Sequence, residues 1–139
     1  MDNATTARSL YEHLNAGEID RFGDLLADDF IEYEVTPGFE PTKAGVKDFF
    51  RMQQRAFPDM KIDAQDVLVS GEKVAVRARF TGTNRGDFMG MAASGKNVDV
   101  QLIDIFRLGD DGLVHEHWGV YDALTMMQQI GAVPAGPPA

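Results

Sequence analysis

Within VHEHWGVYD, residues 114 to 122, stand His115, Glu116, His117, Trp118 and Asp122. Two kinds of chemistry could use them. Imidazoles two positions apart on a strand share one face, as paired metal ligands do. A carboxyl group beside an aromatic ring in a dry hollow has its pKa raised towards neutrality and serves as a general acid or base. The metal reading lacks partners. The chain has three histidines and no cysteine, and the third histidine, His13, falls on the first helix. Zinc takes three or four protein ligands, so no metal is expected.

A second acid lies one strand earlier. The alternation Val98, Val100, Leu102, Asp104, Phe106, Leu108 puts a single ionisable group on an apolar stripe. An unpaired carboxylate buried there is costly, so Asp104 must be paired, protonated or set in a cavity. The structural alternative is a hydrogen bond to backbone or to Arg77, Arg79 or Arg85. Asp104 and Asp122 are the catalytic candidates.

The elements that would position these acids can be read from periodicity. Ala7, Leu10, Tyr11 and Leu14 form one helix face within Thr5–Asn15, which Gly17 would stop. Asp20 suits the N-cap of a short second helix carrying Phe22, Leu25 and Leu26. Phe30 to Val35 reads as a strand with Ile31, Tyr33 and Val35 on one side. Thr42 suits the cap of a third helix, in which Val46, Phe49, Phe50, Gln53 and Phe57 share a face until Pro58. Strands then follow over Lys61–Val69, from Val74 through Phe80, over Val98–Leu108 and over Leu113–Tyr121. A loop over Thr81–Asn97 interrupts them, and the tail from Gly131 is expected to be loose. Helices followed by hairpins predict one α+β domain over residues 1–139, a bent sheet with helices on one face.

Alternation assigns the faces of the last hairpin. A three-residue loop Asp110–Gly112 pairs Gly109 with Leu113, which sets Asp104 opposite Trp118 and Val100 opposite Asp122. Val114, Glu116, Trp118, Val120 and Asp122 then face inward, and His115, His117, Gly119 and Tyr121 outward. In this register Asp104 and Asp122 are roughly 13 Å apart at about 3.3 Å per residue. They line one cavity without sharing a proton.

Composition removes whole classes. A net charge of −9 argues against nucleic acid and against anionic lipid surfaces. No apolar run is long enough to span a bilayer. MDNATTARS lacks the pattern of a signal peptide, so a cytoplasmic location is expected. The absence of cysteine removes disulfides, thiolate nucleophiles and iron–sulfur clusters. No GxGxxG or phosphate-cradling loop occurs, and no cofactor is expected.

The segments TGTNRGDFMGMAASGK, IDIFRL, the DDG turn and VHEHWGVYDALTMMQQIG, with NAGEIDRFGDLLADDF and FPD before them, resemble the SnoaL-like polyketide cyclases. These are small members of the nuclear-transport-factor-two-like superfamily, and the resemblance covers nearly the whole chain. It implies a cone-shaped fold: a strongly curved antiparallel sheet with three helices of the N-terminal half closing a deep pocket. It implies intramolecular aldol closure of an aromatic polyketide ester without metal or cofactor. An aspartate near the end of the last strand acts as acid/base, a place that Asp122 occupies. At least some such cyclases carry a pocket-facing histidine on the preceding strand, where this chain has Asp104. The frequent histidine of the TGTH-type segment is Asn84 here. Other members hydrolyse epoxides, assist hydroxylation or isomerise steroids.

The expected function is therefore cofactor-independent ring closure of a small, apolar, carbonyl-containing substrate. Trp118, Tyr33, Phe50, Phe57 and Leu14 are expected as walls, and Met89 and Met91 as a lid. The rivals are an epoxide hydrolase or isomerase on the same scaffold, the former marked by an arginine in the cavity, and a non-catalytic ligand-binding dimer. A convex face carrying Ile103, Ile105 and Tyr121 is expected to meet a second copy of the chain.

Overall fold

The computed structural model describes residues 1–136. Helix α1 (Asn3–Asn15) opens on Asp2, whose carboxylate accepts from the Thr5 N–H at 2.7 Å. Its buried face is Ala7, Leu10, Tyr11 and Leu14, as the spacing predicts. Helix α2 (Ile19–Asp24) begins after Glu18, two residues earlier than a cap at Asp20 would place it. Strand β1 (Leu26–Glu32) follows, then α3 (Lys43–Ala56), with Thr42 capping the Gly45 N–H at 3.2 Å.

Strands β2 (Lys61–Ser70), β3 (Lys73–Thr83), β4 (Asn97–Leu108) and β5 (Val114–Tyr121) form consecutive antiparallel pairs. The sheet order is β1-β5-β4-β3-β2. The expected α+β class holds, with one amendment. The sheet is mixed rather than wholly antiparallel, because β1 runs parallel to β5 at the edge, and it does not close. The core is packed between the three N-terminal helices and one face of the sheet. There Leu10, Phe57, Val74, Val76 and Val114 are almost fully buried.

A fourth helix, α4 (Ala123–Gln129), follows β5. The N–H groups of Ala132 and Val133 both donate to the Met127 carbonyl, so the start of the expected loose tail is tied to α4. Residues 137–139 of that tail lie outside the described residues.

One irregularity governs the site. The β4–β5 turn is the expected one: the Gly109 N–H donates to the Leu113 carbonyl at 3.0 Å, and Gly112 takes a φ of +75°. Leu108 pairs with Val114, but Arg107 pairs with Glu116, so His115 is an extra residue with no partner on β4. That bulge shifts the register by one, and a shift of one exchanges the faces of everything beyond it. Asp104 therefore sits opposite Gly119, not Trp118. Val114 and His117 both point into the core, an odd spacing that no regular strand permits.

Candidate active site

The concave side of the sheet and the three N-terminal helices enclose a cavity of about 150 Å³. Its walls are mainly apolar, with Leu14, Phe22, Phe49, Phe50 and Phe88 among them. At one place the walls turn polar: Tyr11 from α1, Glu32 from β1, Glu34 just beyond it, Asp104 from β4 and His117 from β5.

Four of these groups form a hydrogen-bonded chain. The Tyr11 hydroxyl donates to Asp104 Oδ2 at 2.6 Å. His117 Nε2 lies 2.7 Å from Asp104 Oδ1, and Nδ1 lies 2.5 Å from Glu32 Oε2. With a carboxylate at each nitrogen, the ring satisfies both only as a doubly protonated imidazolium. Burial pulls its pKa down, but the hydrogen bonds and charges of Asp104 and Glu32 outweigh that and hold it at about 10. Both Asp104 and His117 are only 9% exposed. Burial, then the charge and hydrogen bond of Asp104, push the Tyr11 hydroxyl well above its ordinary range, so it stays a donor.

Glu34 is different. Its backbone N–H donates to Glu32 Oε2 at 3.1 Å. Among the described residues, no hydrogen bond reaches its carboxyl group, which sits partly buried beside the chain. Burial raises its pKa, the His117 charge opposes this, and Asp104 and Glu32 add to it; the result is about 7. A carboxyl group with that pKa takes or gives a proton near neutral pH.

Gly119 makes the crowding possible. A Cβ there would lie 2.5 Å from Glu34 Oε1, 2.7 Å from Asp104 Oδ1 and 2.8 Å from His117 Cε1. Only glycine lets the two carboxyl groups and the imidazole converge over the β5 backbone. Glu34, Asp104 and His117 each offer an atom within 4.8 Å of the others, so they are the residues that could hold a metal ion. Coordination by His117 would first require it to give up its proton.

The structure brings Asp104, Phe50, Leu14 and Met89 to this cavity, as the sequence suggests. It places five other candidates elsewhere. Asp122 is exposed at the head of α4, where it accepts from the Thr125 N–H at 3.1 Å and the Thr125 hydroxyl at 2.7 Å. Trp118 lies on the opposite face of the sheet, stacked on Tyr33 at 5.1 Å with Lys73 over its ring. The bulge at His115 is the reason for Trp118. Asp122 lies past the last β4–β5 pair, where the chain turns into α4. Tyr33 is displaced because β1 buries Phe30 and points Glu32 and Glu34 the same way, leaving Ile31 and Tyr33 outside. Phe57 is packed solid against Phe80 and Phe88, with ring centroids 5.3 and 5.2 Å away. Met91 pairs with Phe88 behind the turn and does not line the cavity.

Glu32, Glu34, His117 and the hydroxyl of Tyr11 are what the sequence reading missed. A signal existed in the alternation Phe30, Glu32, Glu34, but it competed with the more apolar Ile31, Tyr33, Val35. The two histidines part company as well: His117 is in the cavity, while His115 lies 2.9 Å from Asp111 and 3.4 Å from Asp29 outside it.

The family's sequence pattern matches residues 4–130, and the chain belongs to the SnoaL-like polyketide cyclase family. No curated protein matches the sequence. Among solved structures, AclR of Streptomyces galilaeus, assigned as a hydroxylase, is similar in fold, with a TM-score of 0.86, 24% identity and coverage of 97% of this chain and 84% of that one. TsrD of Streptomyces laurentii is 29% identical, covering 93% and 97% of the two chains with a TM-score of 0.81. IdmH of Streptomyces antibioticus, assigned as a polyketide cyclase, is also 29% identical, covering 94% and 99% with a TM-score of 0.81. No helix among the described residues is long and apolar enough to cross a membrane.

Proposed function

We propose that the chain is an acid/base enzyme that closes rings in small carbonyl compounds, with Glu34 as the group that carries the proton. The observation behind this reading is the Glu34 carboxyl group, free of hydrogen-bond partners among the described residues and poised at about 7 inside an apolar cavity. As a carboxylate it removes a proton from a carbon flanked by two carbonyls. The resulting enolate attacks a second carbonyl of the same molecule, a carbon–carbon bond forms, and the new alkoxide takes the proton back from Glu34. Atoms and charge balance without a second reactant. The cavity holds the reacting carbons together and excludes water. The Tyr11–Asp104–His117–Glu32 chain sets the field around Glu34. Asp104 acts through His117 and Tyr11.

An arginine between two acids would have marked the epoxide-hydrolase alternative, and no arginine or lysine lines the cavity among the described residues. A second copy of the chain would cover the convex face, where Ile103 is 48% exposed. Sedimentation at micromolar concentration should then give the mass of a dimer.

The test of the reaction is Glu34→Gln against a panel of poly-β-ketone esters. Turnover should drop about 100-fold or more, the scale of a lost general base. Wild-type activity should rise with pH through about 7, as Glu34 ionises. A glutamine variant with undiminished turnover sinks the assignment.

A further inference from the structure

The hydrogen-bond inventory of the cavity leans towards free acceptors. The Tyr121 and Thr36 hydroxyls and the Gln53 amide nitrogen line it as donors, but the donors of its polar end are spent: the Tyr11 O–H goes to Asp104, and the two His117 N–H groups go to Asp104 and Glu32. Its acceptors are not. No hydrogen bond reaches the Glu34 carboxyl group among the described residues. A second, separate acceptor waits on α3: Gln53 lines the same cavity, is 8% exposed, and its Oε1 is buried with no partner. A buried acceptor without a donor is costly, so a ligand that supplies one is rewarded. Charge leans the same way. Glu32, Glu34, Glu40 and Asp104 line the cavity against His117, and no lysine or arginine does so among the described residues. The remaining wall is largely phenylalanine, whose ring faces attract cations.

We propose that the cavity binds a small apolar or aromatic molecule bearing a protonated amine, whose N–H groups meet Glu34 and the orphan Gln53 oxygen. An ammonium is a pure donor and carries the charge the site lacks. It leaves the Tyr11–Asp104–His117–Glu32 chain intact, whereas a metal ion would have to strip the proton from His117. An anionic ligand would meet a surplus of carboxylates and no lysine or arginine among the described residues. The volume of about 150 Å³ suits a single-ring body, as cavities of that size accept benzene. The inference rests on the cavity being the substrate site of the proposed enzyme. An amine held by Glu34 occupies the base, so it competes with the substrate for the cavity.

Binding is the test, so no turnover is needed, and a failure here leaves the Glu34 reaction standing or falling by its own assay. Benzylamine, benzyl alcohol and benzoate are titrated into the full chain at neutral pH and followed by amide chemical shifts. Benzylamine should bind at least ten times more tightly than benzyl alcohol and shift residues lining the cavity, and benzoate should not bind there. Glu34→Gln should erase the preference for the amine, and Gln53→Leu should weaken it several-fold while leaving benzyl alcohol little changed. Equal affinity of amine and alcohol, binding of benzoate, or no binding by any probe at millimolar concentration overturns the proposal. The wild-type ranking stands as a test even where a variant fails to fold.

Discussion

Asp104, on β4, and Asp122, directly after the neighbouring β5, carry the same side chain and end up in opposite surroundings. Asp104 is buried and accepts from Tyr11 and His117, which stand on two different elements. Asp122 is exposed and serves the local backbone, accepting from Thr125 three residues on. The strand between them explains the contrast. From Asp104 the register leads across to Gly119, and the extra residue at His115 turns His117 rather than Trp118 towards the cavity. By Asp122 the chain has left the concave face and begun α4. A carboxyl group acquires a catalytic environment from long-range convergence. One at a strand-to-helix junction is consumed by the cap.

The sharpest way to break this contrast is Asp104→Ala. It leaves the Tyr11 hydroxyl without its acceptor and removes one of the two carboxylates that hold the His117 charge. Removing a partner from a buried ion pair costs about 3–5 kcal/mol, and Glu32 keeps the loss near about 3 kcal/mol. Urea unfolding measures it. A loss no larger than that of a surface substitution would mean that the chain of hydrogen bonds is not formed.

The next effect is on pH. His117 is held at about 10 in the folded chain against an ordinary 6.5. A raised pKa on a base stabilises the fold fully below its unfolded value and loses that stabilisation as pH rises through the folded value. Stability from this group should therefore fall between pH 6.5 and 10. Glu34 has the same sign over a lower window: raised from 4.5 to about 7, it favours the folded chain when protonated, and stability falls as pH climbs through that range. Asp122 lies outside this cluster, and the effect is confined to the Asp104 side of the comparison. The His117 ring protons, followed by NMR, should titrate near 10. A midpoint below 7 would show that Asp104 and Glu32 do not hold the imidazolium.

The same contrast shows what the sequence could and could not reveal. Ala7, Leu10, Tyr11 and Leu14 announce α1 because a helix repeats its face over many residues, and Thr42 announces the start of α3 because capping is local. The turn at Asp110–Gly112 is equally legible, since glycine at a positive φ is a local requirement. The bulge at His115 is not. Nothing in VHEHW distinguishes a strand with one extra residue from a regular one, and β4 alone determines which residue is left over. Because alternation propagates an error of one through the rest of the strand, that single residue moved Trp118 out of the expected site and His117 into it. In β1 the failure was one of energy ranking. Ile31, Tyr33 and Val35 offer more apolar surface than Phe30, Glu32 and Glu34, yet the acids go inside because His117 meets Glu32 there, with Glu34 beside it. Burial of a carboxylate is intelligible only once its partner, distant in sequence, is in place.

The smallest predicted effect is the one that most sharpens the comparison. Asp122→Asn keeps a side-chain oxygen at the head of α4, and asparagine is as good an N-cap as aspartate. Stability should change by no more than about 0.5 kcal/mol, and turnover and ligand affinity should stay within about twofold of the wild type. Asp122→Ala removes the acceptor of the Thr125 N–H and should cost about 1 kcal/mol of stability, again with little change in turnover. The pair separates a capping role from a chemical one. A cap is indifferent to charge and sensitive to loss of the oxygen, whereas a proton carrier is disabled by either change. If asparagine at 122 lowered turnover a hundredfold while the unfolding midpoint stayed put, the acid at the end of β5 would have to reach the cavity in a conformation other than this one. The assignment of Glu34 would then give way to it.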